Sequence, residues 1–135
     1  VQPRSRGLGD VYKRQAHDID VMGHVNNAVW VQWMEAIATS HWEADATPEQ
    51  VEKYVWVVTR HEIDYRGNIR EGESVAALTF IPEGPSGARF ERRVEFRNQA
   101  GKVIVAARTT WAMIDKASGR IMRVPVEVAE RFSAG

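Results

Sequence analysis

One helical stretch followed by four long runs of alternating residues is the feature that most constrains this chain. In the first run Val57, Thr59, His61, Ile63 and Tyr65 alternate with Val58, Arg60, Glu62 and Asp64, which reads as a strand with one wet face. Gly67-Asn68 and Glu71-Gly72-Glu73 mark a turn, and residues 75–81 form a second strand closed by Pro82-Glu83-Gly84-Pro85. The third run is the clearest: Phe90, Val94 and Phe96 face one way, and Arg89, Glu91, Arg93, Glu95 and Arg97 the other. Asn98-Gln99-Ala100-Gly101 is a hairpin turn into a fourth strand over residues 103–114, with Val103, Val105, Ala107, Thr109, Trp111 and Met113 on one face. Ser118-Gly119 turns the chain again, and Pro125 opens a short terminal helix reaching about residue 132.

The helical stretch runs from Asn26 or Asn27 to about residue 44, with Trp30, Met34, Ile37 and His41 at helical spacing. Val29, Val31, Trp33, Ala36 and Ala38 spread apolar surface around most of its circumference, which predicts a buried helix. Gln32, Glu35, Thr39 and Ser40 are the polar groups in its middle, and they fall on one side. Either asparagine is a natural N-cap, because its side chain can accept from an orphan backbone N–H. An antiparallel sheet must cover its apolar face, and this helix is the one large element available to do so. The expectation is an α+β domain over residues 16–135, its sheet wrapped around one long helix. One helix cannot cover everything, so a homodimer or homotetramer with a continuous sheet is expected.

Residues 1–15 are set apart from the domain. They show no periodicity, their Gly7-Leu8-Gly9 cluster suits neither helix nor strand, and residues 10–15 resemble a translated adapter end of the kind left in sequencing libraries. The expectation is a non-native or disordered segment, with the natural first strand cut short.

Composition excludes several function classes. The formal net charge is zero, so nothing electrostatic favours nucleic acid or an anionic membrane as partner. Without cysteine there can be no disulfide, thiolate metal site or cysteine nucleophile. No apolar run approaches the roughly 20 residues needed to span a bilayer, and no signal peptide is visible. A cytoplasmic protein is the default expectation.

Chemistry concentrates in His17-Asp18-Ile19-Asp20-Val21-Met22-Gly23-His24-Val25-Asn26-Asn27, which leads into the helix. The first N–H groups of a helix lack internal partners and carry partial positive charge, so they can hold a developing oxyanion. A carboxylate a few residues earlier, across a turn permitted by Gly23, can face a carbonyl bound there. Asp18-x-Asp20-x-x-Gly23 also has the opening spacing of a calcium loop, but Met22 stands where a third oxygen ligand belongs and Val29 where the closing acid belongs. No metal site and no cofactor are expected. Asp18 and Asp20 as capping turn carboxylates, and His24 as a structural hydrogen-bonding group, are the plainer readings of the same residues. His61 reads as a satisfied core histidine. Arg92, which interrupts an apolar face, reads as a group pairing across an interface or meeting a phosphate. Glu35 needs a partner or a wet pocket if its helix is buried.

The run from Asp20 to Ala28, with Trp33 and Glu35 after it, resembles the signature of hotdog-fold acyl-CoA thioesterases of the 4-hydroxybenzoyl-CoA thioesterase type. It is also similar to the second hotdog repeat of plant acyl-ACP thioesterases. The order of helix and strands agrees with a hotdog fold from about residue 16 to 132. The resemblance implies hydrolysis of an acyl-CoA, or of an acyl-ACP, with Asp20 as nucleophile or general base. It implies that His24 orients Asp20 or the water, and that Asn27 lies where a helix N-terminal backbone N–H polarises the thioester carbonyl. Gly23, Asn26, Trp30 and Glu35 are the residues it brings near substrate. The acyl-ACP branch carries an asparagine two positions after the catalytic aspartate; Met22 stands there in this chain, which favours the CoA-type enzyme. A hotdog hydratase or dehydratase and a non-catalytic acyl-CoA-binding module remain as competing functions.

Overall fold

The computed structural model describes residues 8–13 and 27–132. The order is β1 (Leu8–Lys13), α1 (Asn27–Asp45), α2 (Pro48–Lys53), β2 (Tyr54–Tyr65), β3 (Ser74–Phe80), β4 (Arg89–Arg97), β5 (Val103–Asp115), β6 (Arg120–Ile121) and α3 (Val126–Phe132). The strands form one antiparallel sheet in the order β1-β3-β4-β5-β2, with β6 paired to the end of β5. α1 packs against one face of it, so the α+β architecture expected from the alternating runs is the one observed.

Within the segment set aside at the N-terminus, residues 8–13 form a strand. Leu8 pairs with Thr79 and Lys13 with Ser74, making β1 an edge strand on β3. Leu8 and Tyr12 pack against the core, and the Tyr12 ring stacks on Trp33 at 5.5 Å. Pairing to β3 supplies hydrogen bonds that Gly9 can make as well as any residue, which is why local composition gave no warning.

α2 is a further element absent from the period-based reading. Thr47 caps it: its Oγ1 accepts from the Gln50 N–H at 3.1 Å, and its own N–H donates to Gln50 Oε1 at 2.9 Å. Pro48 occupies the first turn, where its missing N–H costs nothing. Thr47→Ala should lower stability by about 1 kcal/mol, readable as a lower urea midpoint with unchanged slope. A midpoint that does not move would show that the cap contributes nothing.

β2 does not keep one phase. Its register against β5 shifts between Val58 and Arg60, leaving Thr59 as a bulge. Trp56 and Val58 turn toward the core before it, and His61 and Ile63 after it. Val57 is therefore 42% exposed and does not share a face with His61, which corrects the single alternation expected across this strand.

The helix reading needs a similar correction. Val29, Trp30, Met34, Ile37, Ala38, His41 and Trp42 are buried, but Ala28, Gln32, Glu35, Ala36, Thr39, Ser40, Glu43 and Ala44 are exposed. The exposed apolar residues of α1 are the alanines Ala28, Ala36 and Ala44, which have little surface to hide, while Val31 and Trp33 are half-buried. α1 is thus a helix with one wet face in this chain.

The core falls into two clusters along α1. Val29, Trp30, Met34 and Ile37 pack with Val75, Val94, Phe96 and Val105 under its first half. Trp42 and Ala46 pack with Phe90, Met113, Val128 and Phe132 under its second half. Near the junction a row of polar side chains crosses the sheet: Thr79 on β3, Arg92 on β4, Thr109 on β5 and His61 on β2.

Candidate functional site

α1 begins at Asn27, and Asp18, Asp20, Gly23, His24 and Asn26 lie outside the described residues. What the structure describes is the platform that the signature loop leads into. Asn27 is exposed at the helix start, and the first turn contains no acidic side chain. No carboxylate of the helix itself therefore competes for the positive end of its dipole. The turn is anchored from below by Val29 and by Trp30, whose ring meets Phe96 edge-on at 5.0 Å and Trp33 at 5.2 Å. Such anchoring fixes where the orphan N–H groups point, which is what an oxyanion site requires.

The remaining candidates separate. Trp30 is fully buried, with its Nε1 unpartnered, and serves as core rather than as an open wall. Trp33 is half-buried and holds Tyr12. Glu35 is exposed two helical turns further on, with no hydrogen bond or ion pair to any described residue, so the buried partner expected for it is not needed in this chain. His61 accepts or donates at Nδ1 to Thr109 Oγ1 at 2.9 Å, in keeping with a satisfied structural histidine. Among the described residues no group of three or more His, Asp or Glu side chains could hold a metal ion, and no helix is long and apolar enough to cross a membrane.

Arg92 is the functional-looking residue that sequence reasoning singled out without placing. It is 8% exposed, and Nη1 donates to His41 Nδ1 at 2.8 Å and to Thr79 Oγ1 at 2.9 Å. A guanidinium has no lone pair to give, so His41 Nδ1 accepts and its ring proton sits on Nε2, 3.2 Å from Asp45 Oδ2. Burial lowers the Arg92 pKa to about 10, which leaves it charged at neutral pH. The available signal was a cation on an otherwise apolar strand face, opposite Thr109 on the next strand. His41 and Thr79 carried no such signal, since each looks like an ordinary core-facing residue.

Residues 15–132 match the model of the thioesterase-like superfamily. Among curated proteins, a palmitoyl-acyl carrier protein thioesterase from Gossypium hirsutum is 31% identical over 85 residues, 62% of this chain. The chain spans about a fifth of the length of the curated plant relatives it matches. Among solved structures, a 1,4-dihydroxy-2-naphthoyl-CoA thioesterase from Synechocystis superposes with a TM-score of 0.75 at 15% identity, covering 88% of this chain and 90% of that one. A Staphylococcus aureus protein crystallised with CoA gives 0.81 at 10% identity, covering 97% and 84%. At such identities the likeness of the structures is a likeness of fold.

Proposed function

Because the chain belongs to the thioesterase-like superfamily, we propose that it hydrolyses acyl-CoA thioesters to the free acid and CoA. The observation that carries this reading is the signature Asp20-x-x-Gly23-His24-x-Asn26-Asn27 running directly into the N-terminus of α1. Thioester hydrolysis needs a group that attacks or activates water and a donor set for the tetrahedral oxyanion. In this proposal Asp20 supplies the first and the backbone N–H groups at the start of α1, near Asn27, supply the second. His24 orients Asp20 or the water, while Gly23 and Asn26 shape the turn between them. The departing thiolate is a good leaving group and needs little help from an acid. The absence of acidic side chains in the first turn of α1 supports an anion at that end.

Trp30 acts in this scheme through packing, holding the helix start, and Glu35 would meet substrate only from the exposed face of α1. β2 lies at one edge of the sheet, and its unpaired backbone groups are where a second copy would continue it. The carrier is the finer question. The plant relatives bear names of acyl carrier protein thioesterases, whereas Met22 departs from the acyl-ACP pattern, so acyl-CoA is the first substrate class to try.

Thiol release from short, long and aromatic acyl-CoAs should proceed well above the uncatalysed rate with at least one of them. Release from acyl-ACP alone would move the substrate to the carrier-protein class. A folded protein that releases thiol from neither would sink the reading and leave a binding module, and hydration of an enoyl-CoA without thiol release would make it a hydratase.

A further inference from the structure

A cavity of about 230 Å³ lies between the second half of α1, α3 and strands β2, β4 and β5. Four aromatic rings form its cage and brace one another. Trp42 meets Trp56 edge-on at 5.6 Å and stacks on Phe132 at 5.6 Å, and Trp56 leans on Phe90 at 5.5 Å. Rings held this way cannot collapse to fill the space between them.

Polar side chains line the same cavity as well: Thr39, Glu43 and Lys116 are exposed, Tyr54 and Trp111 are half-buried, and Arg92 is buried. Arg92 lines it, and with Nη1 occupied by His41 and Thr79, its Nε and Nη2 donate to nothing among the described residues. No described carboxylate lies within ion-pair distance of this guanidinium. Trp111 also lines the cavity, and its Nε1 is buried without a partner. A buried guanidinium with no described carboxylate beside it is a costly feature unless an anionic acceptor visits it.

We propose that this cavity binds a small apolar carboxylic acid, with the carboxylate on the Nε–Nη2 edge of Arg92 and the hydrocarbon body among the rings. That edge is a planar fork that matches the two oxygens of a carboxylate. The lining carries Arg92, Lys116 and Glu43, a net formal charge of +1 set among aromatic walls, which suits a monoanion with a hydrophobic body, not a phosphate, whose remaining oxygens would lie unsolvated against the rings. The cavity is smaller than the roughly 300–1,000 Å³ of drug-sized sites, which limits the ligand to the scale of benzoate, a naphthoate or a short branched acid.

This site is separate from the start of α1. Thr39 and Trp42 line the cavity and lie about 18–22 Å along the helix from Asn27 at 1.5 Å per residue. Trp30, Met34 and Ile37 fill the core between the two. The inference therefore does not depend on thioester hydrolysis.

The test compares each acid with its isosteric amide on the full chain: benzoate against benzamide and 2-naphthoate against 2-naphthamide, by calorimetry and tryptophan fluorescence. At neutral pH an acid should bind one per chain and about 10- to 100-fold more tightly than its amide, the worth of a charge-assisted pair. Arg92→Met, an apolar replacement of a kind that buried cations often tolerate, should abolish that preference. Asp20→Asn should keep it. Equal affinity for acid and amide, or no binding of either, overturns the proposal on the unmodified chain whether or not the variant folds. A preference that survives in folded Arg92→Met overturns it too, by placing the acid elsewhere.

Discussion

Replacing Asp20 by Asn is expected to cut acyl-thioester hydrolysis about 100- to 10,000-fold, the range over which a positioned acid–base group contributes. Asparagine keeps the size and one acceptor oxygen of the aspartate, so the loop and its helix should be undisturbed. What it loses is the ability to take a proton from water or to attack the carbonyl. The fall should therefore appear in kcat with KM changed only slightly, since binding and the backbone oxyanion donors at the start of α1 remain. A nucleophilic role and a general-base role both predict this loss. Rapid-quench capture of an acyl-enzyme in the parent chain would separate them. Hydrolysis unaffected by the substitution would remove Asp20 from the mechanism while leaving the superfamily assignment intact.

Phe96→Ala should lower stability by about 3–5 kcal/mol, the usual cost of emptying a buried aromatic site. Phe96 is fully buried and lies against both Trp30 and Trp33. Both tryptophans belong to the first half of α1, so the cavity would open directly beneath the helix start. A loss of this size is a large fraction of the roughly 5–15 kcal/mol that a domain has in total, and partial unfolding at room temperature is the expected phenotype. Chemical denaturation followed by tryptophan fluorescence gives the number. Phe96→Leu, which refills most of the volume, should recover well over half of it. A Phe96→Ala loss below about 1 kcal/mol would contradict a close-packed site. Because Trp30 holds the turn proposed as the oxyanion site, any Phe96→Ala protein that remains folded should also lose activity.

Much of the frame was legible from local pattern. Alternation in residues 89–97 and 103–114 located two central strands: β4 keeps one buried and one wetter face, and β5 alternates from Val105 to Thr109 although Ile104 and Ala112 are buried on its other face. Trp30, Met34 and Ile37 located α1 for the matching helical reason. The Thr47–Gln50 capping box was equally local and was there to be read, but the brevity of α2 hid it behind the change of period. The candidate loop was also legible, as a run of acids, histidines and asparagines before a helix, because that chemistry depends on neighbours in sequence.

Other features have causes that no local pattern holds. β1 is a strand because β3 offers it an edge, Val57 faces water because a bulge at Thr59 resets the phase of β2, and α1 keeps a wet face because the sheet lies on only one side of it. Arg92 announced itself in the sequence as a cation on an apolar face, but its partners lie 13 and 51 residues away. Trp42, Trp56, Phe90, Trp111 and Phe132 meet around one cavity from two helices and three strands. The sequence by itself determined α1, the four long strands and α3, and the two faces of most of those strands, because these rest on periodicity and on adjacent residues. Tertiary structure alone decided the edge strand, the phase of β2, the row of buried polar groups and the aromatic cavity, because each arises from contacts between residues that the chain keeps far apart until it folds.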